Sequence, residues 1–522
     1  MTSKPLPESL TREQFDQAIG ELRDVLGQER VFTDDVNELR SYRDVYSTTA
    51  DELHMPSAAI APESVEEIQK VLKVARKYLI PLWTISTGKN FAYGGPAPRK
   101  AGYIVLDLKR MNRIIEVNEK YGYAVVEPGV SYFDLYKYLR EKNSKLWIDP
   151  AAPGWGSVLG NMSEHGAGYT PYGDHLLFNC GMQVVLADGT VVDTGMGSSA
   201  TSKTAHLYKY GHGPWVEGLF TQSNFGIITK IGMWLMPEPP GYRPYLVTFP
   251  KEEDLHQITE IAGPLRLNML IPNAATTVGL IWEASARATK HQYYQGKGAM
   301  PMSARQKMAD DLDIGMWNFY GAMYGPPPMM DNNWNILEGA FGSIPGAKFY
   351  FEGDRPNDPA WDYRAKLMRG VPSMTEFSIM NWVSSGAHID FVPRSPVTGD
   401  DAMKQFTMIR DRANEYGFDY IGEFLVGFRE LLDVFMLVFD RTNDEERLRA
   451  HECFGKLIED HANAGYGEYR AHVDFMDKIA GTYNWNDGAL WKMHHRLKDA
   501  LDPDGILSPG KMGIWPKRMR QG

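Results

Sequence analysis

LWIDPAAPGWGSVLGNMSEHGAGYTPYGDH, residues 146–175, is the stretch on which the fold turns. Six glycines fall between Gly154 and Gly173. Glycine reaches backbone angles other residues avoid and lets N–H groups approach a ligand closely. Successive N–H groups in tight turns form anion-binding concavities. The stretch therefore reads as backbone wrapped around a phosphate-bearing cofactor. Gly154, Gly156 and Gly160 also mimic a Rossmann dinucleotide fingerprint, but Asp149-Pro-Ala-Ala-Pro153 stands where the leading β-branched strand belongs.

Upstream, residues 11–26 read as an amphipathic helix, with Phe15, Ile19, Leu22 and Leu26 on one face. A second helix spans 64–78, with Ser64 and Glu67 as a capping box and Ile68, Val71, Leu72 and Ala75 buried. A strand at 80–86, a turn from Thr87 to Gly95 rich in glycine and amide donors, and a strand at 103–107 complete an α/β unit. That turn is a second phosphate cradle. Short strands at 114–117 and 123–126, a helix at 132–141, a hairpin at 184–192 turning on Asp188-Gly189, and β-structure over 226–236 follow. Pro237-Glu-Pro-Pro-Gly241 marks a domain boundary, after which helices and strands mix to about residue 500.

Bulk properties narrow the partners. The 522 residues suffice for two or three domains, and 43% hydrophobic with 23% charged residues is ordinary for a globular protein. A net charge of −11 argues against nucleic acid and anionic membrane. Cys180 and Cys453 are the two cysteines, so a disulfide framework and a CxxC metal or redox pair are excluded; no metal site is expected. No apolar run has signal-peptide or membrane-span character, and a cytoplasmic location is the expectation.

Eight stretches in order resemble the vanillyl-alcohol oxidase family of 4-alkylphenol-oxidising flavoproteins. They are Ser86–Asn90 with Tyr93-Gly-Gly95; Glu127-Pro-Gly-Val130; Gly156–Asn161; Gly168–His175; Trp317–Gly321; Gly386-Ala-His388; Gly467-Glu-Tyr-Arg470; and Asp502–Ile506 with Pro509-Gly-Lys511. Within that family the likeness ranks vanillyl-alcohol and eugenol oxidases ahead of the p-cresol methylhydroxylase flavoprotein subunit. The resemblance implies an α+β, two-domain FAD-binding fold of p-cresol methylhydroxylase type. Residues 1–241, completed by 501–522, would form the FAD domain, and 242–500 the α+β substrate (cap) domain. Cofactor-binding positions would be Ser86, Thr87, Gly88, Lys89, Asn90, Pro128, Gly129, Gly154, Trp155, Gly156, Ser157, Gly160, Asn161, Gly226, Ile227 and Lys511, with FAD bonded covalently to His388.

Tyr93, Tyr469 and Arg470 fall on the family's phenolate-binding trio. Two hydroxyl donors and a permanent cation converging on one oxygen suit that task. Tyr169 and Leu425 are expected in the substrate pocket. The implied reaction is oxidation of a para-substituted phenol by hydride transfer to flavin N5 through a p-quinone methide, with O₂ reduced to H₂O₂. The alternative is a dehydrogenase passing electrons to a cytochrome or copper protein. A homo-oligomer is expected. His54, in Glu52-Leu-His-Met55, is a candidate aid to flavinylation by the resemblance, but the local match is poor and an ordinary structural histidine is the preferred reading.

Three departures surround the expected site. Ala151-Ala152 stands where the family's vanillyl-alcohol and eugenol oxidases carry Pro-Asp, so an acid/base beside N5 is missing. Glu423 replaces a neutral residue, Leu432-Asp433 replaces a histidine pair, and Asp390 replaces a Phe or Gly of the pocket wall. Glu423 is expected to take over as the base that activates water, with Asp390 as the substitute.

Overall fold

The computed structural model describes residues 5–33 and 36–520. Residues 1–4, 34–35 and 521–522 of the range assigned to the FAD domain lie outside the described residues. The α/β unit forms around a four-stranded sheet in the order Val31–Phe32, Ala58–Ile60, Ile104–Asp107, Leu82–Ile85, the last three parallel. Helices Arg12–Leu26 and Val65–Tyr78 bury Phe15, Ile19, Leu22, Ile68, Val71 and Leu72 in one core with Ile104 and Leu106. The box expected at Ser64 forms only by half. Ser64 accepts from Glu67 N, but the Glu67 carboxylate accepts from Glu63 N at 2.7 Å and Arg30 Nη1 at 2.8 Å instead. A cation within reach outcompetes the N-cap amide for that carboxylate.

A five-stranded antiparallel sheet follows: Ile114–Asn118, Tyr123–Val126, Ile227–Trp234, Asn179–Val185, Val191–Asp193. Helix Tyr132–Glu141 starts in a full capping box of Ser131 and Asp134. Residues 506–508 return from the far end of the chain to the first sheet. Leu82 N donates to Ile506 O at 2.8 Å and Ser508 N to Leu82 O at 2.7 Å.

Beyond residue 241 a large antiparallel sheet takes over, in the order Lys348–Phe351, Tyr242–Phe249, Trp317–Tyr324, Thr276–Gly279, Gly422–Val426, Glu430–Asp440, Pro393–Pro396, Gly467–Glu468, with Gly386–Phe391 also paired to Glu430–Asp440. Strand alternation divides its side chains between two faces. Phe424, Asp433 and Phe435 lie on the face packed by helix Gly399–Glu415, where Trp317, Phe406 and Tyr420 stack edge-on. Register puts Glu423 opposite Val434, Leu425 opposite Leu432, Asp390 opposite Met436 and His388 opposite Val438, all on the other face. This parity decides which sheet residues reach the site.

Gly129 illustrates the packing beneath it. A Cβ there would stand 2.2 Å from Lys109 O and 2.9 Å from Met111 O, both backbone atoms. Its N–H already bonds Met111 O at 2.7 Å. Gly129→Ala is expected to destabilise the fold by about 1–3 kcal/mol through overpacking. Thermal unfolding checks this, and an unchanged midpoint would show that the two turns separate freely.

Candidate active site

A cavity opens between the two small sheets and the large one, enclosing about 1860 Å³ including its mouth. Ser86, Thr87, Gly88, Lys89, Asn90, Pro128, Gly156, Ser157, Gly160, Asn161, Gly226, Ile227 and Lys511 all line it, so the two glycine-rich stretches meet on one wall. Their approach is close: a Cβ on Gly160 would lie 2.4 Å from Ser86 Oγ. Ser157 caps the short helix Val158–Ser163 by accepting from Gly160 N. Ser223 and Asn224 also line the cavity, and Ser223 Oγ and Asn224 Oδ1 are buried without a partner. Buried polar atoms rarely stay unpaired, so this lobe is built for a polar ligand.

Three expected cofactor residues sit behind this wall. Gly129 packs against the 109–111 turn. Gly154 packs on Phe133 and Pro372. Trp155 is in an aromatic cluster, its ring 5.7 Å from Phe91 and 5.4 Å from Phe377, with Lys89 Nζ 5.2 Å above it.

Arg470 lines the cavity with its guanidinium 5.0 Å from the Tyr93 ring and 5.1 Å from the Tyr469 ring. Its Nε donates to Glu164 O at 3.0 Å, and Gln222 Nε2 holds Tyr469 O at 2.9 Å. Val473 N bonds Tyr93 O, tying the two distant segments together. The trio expected from sequence is thus brought together, with Tyr93 and Arg470 on the cavity lining and Tyr469 beside Arg470 but off the lining. Burial lowers the Arg470 pKa, but Tyr469 and Tyr93 more than offset this and the net direction is upward. Burial pushes the Tyr93 hydroxyl well above its ordinary range, against the pull of Arg470.

His388 and Asp390, two apart on strand Gly386–Phe391, both face the cavity. His388 Nδ1 lies 2.7 Å from Asp390 Oδ1. Ala152 lines the cavity nearby, together with Ala151. Glu423 and Leu425 are on the same face of the sheet but do not line the cavity. Glu423 is 2% exposed and accepts from Arg364 Nη1 at 3.0 Å. Arg364 rests among the rings of Trp282, Tyr320 and Tyr363. Leu425 and Tyr169 belong to an apolar cluster with Ala274, Val392, Leu432 and Tyr469. Asp433 lies on the opposite face, where Tyr420 OH donates to it at 2.8 Å. His54 is buried against Asp474 at 2.6 Å and Pro98 O at 2.8 Å, away from the cavity lining.

Glu376 was not singled out by sequence. It lines the cavity, and its Oε2 is buried without a partner. Burial first, then the charge of Glu423, pushes its carboxyl well above the ordinary range, while Arg364 opposes. Burial likewise raises Glu423, again opposed by Arg364. Glu376 sits in the 3-10 helical segment Thr375–Trp382, which carries no periodic pattern. Glu164, Gln222 and Met436 were missed for the same reason: their roles come from loops or sheet parity.

Residues 56–195 match the FAD binding domain and residues 330–512 the C-terminal domain of FAD-linked oxidases. The flavoprotein subunit of 4-cresol dehydrogenase (hydroxylating) from Pseudomonas putida is 39% identical, covering 98% of this chain and 97% of its own. The chain belongs to the p-cresol methylhydroxylase-type family of FAD-linked oxidases. Two solved members superpose over nearly all of it. 4-Ethylphenol oxidase from Gulosibacter chungangensis, as its isoeugenol complex, gives a TM-score of 0.97 at 40% identity, covering 99% of this chain and 100% of that one. p-Cresol methylhydroxylase with substrate bound gives 0.95 at 39%, covering 98% and 99%. These relatives correct the ranking within the family: the likeness is to 4-cresol and 4-ethylphenol enzymes, not to vanillyl-alcohol oxidase specifically. The two-domain fold is as expected. Among the described residues no helix is long and apolar enough to cross a membrane, and no cluster of His, Cys, Asp and Glu is placed to hold a metal.

Proposed function

We propose that the chain is a flavin-dependent oxidase of para-substituted phenols. The supporting observation is the cationic Arg470 held between Tyr93 and Tyr469 at the cavity. The names of the relatives, 4-cresol dehydrogenase, p-cresol methylhydroxylase and 4-ethylphenol oxidase, agree with that chemistry. FAD would lie along the wall formed by residues 86–90 and 156–161, with its ring system toward His388 and Arg470; His388 is the proposed point of covalent attachment. When bound, FAD supplies the hydride acceptor and passes the electrons on.

Arg470, with the hydroxyls of Tyr93 and Tyr469, stabilises the substrate as phenolate, which pushes electrons toward the benzylic carbon. Arg470 also balances negative charge that develops as the hydride leaves. The resulting quinone methide needs a base if water is to add. Ala152 offers none, and Glu423 is bonded to Arg364. We therefore assign the water's proton to Glu376, a cavity-lining residue whose Oε2 is buried without a partner. Glu423 then acts from behind, holding Arg364 and raising the basicity of Glu376 through its charge.

A second reading is a dehydrogenase with a cytochrome or copper-protein acceptor. The name of the Pseudomonas putida relative favours it, as does the alanine at position 151 in the cavity lining. Stopped-flow reoxidation of the substrate-reduced protein in air separates the two. Reoxidation within seconds is expected; a process of minutes would transfer the assignment to the dehydrogenase.

Tyr469→Phe and Arg470→Leu should each move the pH profile of anaerobic flavin reduction upward, by about one unit or more. The sign follows because a phenol of pKa about 10 that loses its stabilisers ionises at higher pH. Profiles unmoved in both variants would remove the trio from phenolate binding.

With 4-ethylphenol, the alcohol share of the product should rise with pH. Below its raised pKa Glu376 carries a proton and cannot accept another from water; above it the carboxylate can. Glu376→Gln should flatten that dependence and lower alcohol formation by ~10²-fold, shifting product toward the alkene while flavin reduction changes little. Chromatography of the products across pH reads the outcome, and a pH-dependent alcohol yield that survives in the Gln variant would return the role to Glu423 or Asp390.

A further inference from the structure

We propose that Asp390 is a positioning residue for covalent flavinylation: it fixes the His388 imidazole so that Nε2 attacks the flavin 8α carbon. This rests on the reading of His388 as the attachment point. Strand alternation puts residues 388 and 390 on one face, and the pairing of Gly386–Phe391 with Glu430–Asp440 fixes that face toward the cavity. The carboxylate oxygen lies 2.7 Å from Nδ1. Among the described residues His388 is the one ion-pair partner of Asp390, so no lysine or arginine competes for it. The imidazole is buried and flanked by the Tyr46 ring at 5.3 Å and the Phe377 ring at 6.4 Å, which hold its plane.

The chemistry follows from the tautomer. A carboxylate accepts, so Nδ1 carries the hydrogen and Nε2 the lone pair. Nε2 would form a bond to the 8α carbon while that methyl releases a proton to solvent water through the open mouth of the cavity. The ring system takes up the two electrons left by the broken C–H bond. Alkylation places positive charge on the imidazole, and Asp390 stabilises it or receives the Nδ1 proton. O₂ then removes the two electrons with two protons as H₂O₂, restoring the oxidised flavin. Asparagine at 390 would lack the charge and could present its amide to Nδ1, which selects the wrong tautomer. The carboxylate that orients a metal-ligating histidine is worth ~10–100-fold, and an effect of that order is expected for a histidine nucleophile held the same way.

The test measures covalent flavin directly. Wild type, Asp390→Asn, Asp390→Ala, Asp390→Glu and His388→Ala are loaded with FAD in air, sampled over time, and precipitated with acid. Flavin in the pellet is covalent; flavin in the supernatant is not. Wild type is expected to give a yellow pellet and His388→Ala a colourless one. The Asn and Ala variants should bind FAD but flavinylate at least ~10-fold more slowly, and Glu should restore part of the rate. Melting curves of the loaded proteins identify a variant that folds poorly, in which case the other of Asn and Ala is read. Wild-type rates in the Asn and Ala variants would overturn the role of Asp390 while leaving the attachment intact. A colourless wild-type pellet would overturn the attachment at His388, and this inference with it.

Discussion

The site depends on keeping a guanidinium inside the protein without a carboxylate bonded to it. A charge withdrawn from water is costly unless paired. Arg470 is held by a backbone carbonyl, Glu164 O, and by two aromatic rings, and no ion pair closes over it among the described residues. Nearby carboxylates are turned to other work: Glu468 accepts from the backbone N–H groups of Arg470 and Val392, and Glu164 pairs with Lys511. Burial then raises Glu468 to about 8, which weakens it as a competing anion. What remains is a cation whose natural complement is an anion from outside the chain. A phenolate, or the negative end of a reduced flavin ring, fits that requirement.

The same constraint organises the chain. Arg470 and Tyr469 follow the two-residue strand Gly467–Glu468 at one edge of the large sheet, while Tyr93 closes the 3-10 turn Phe91–Tyr93 within the connection from Leu82–Ile85 to Ile104–Asp107 of the first small sheet. Bringing them together means docking two domains, and the bond from Val473 N to Tyr93 O is one of the ties between them, with Gln222 to Tyr469 O another. Around it lies a buried chain of acid and imidazole: Asp44 to His472 at 2.8 Å, and Asp474 to His54 at 2.6 Å. His54, a packed histidine by its sequence setting, belongs to this bracing.

Much of the proposed cofactor wall was legible because glycine and turn chemistry are local properties. The loops at 86–95 and 154–161 announce backbone approach in a few consecutive residues, and the structure puts most of them on the cavity. The helices at 12–26 and 65–78 were legible for a similar reason, since apolar spacing and an N-cap are short-range. Where a reading failed, a long-range partner intervened. The Ser64 box lost its second half to Arg30, 37 residues from Glu67. Gly129 looked like a ligand contact but is required by the backbone carbonyls of Lys109 and Met111.

The carboxylates show most sharply what composition alone does not carry. Glu423 stands between apolar neighbours in sequence, which correctly signals burial, yet burial does not say which side of a wall a side chain occupies. Sheet parity puts Glu423 on the cavity face, and only the tertiary position of Arg364, 59 residues away, decides that its charge is already answered. Glu376 is answered less fully: Arg364 bonds Glu423 and lies 3.9 Å from Glu283, and although Arg364 and Tyr169 favour ionised Glu376, burial and the charge of Glu423 outweigh them. Burial and the neighbouring charge push its carboxyl upward, and a carboxyl that resists ionisation is the stronger proton acceptor once ionised. Arg364, Glu423, Glu283 and Glu376 thus form one buried charge cluster, and its balance, rather than the identity of any single position, decides which carboxylate is left to accept a proton.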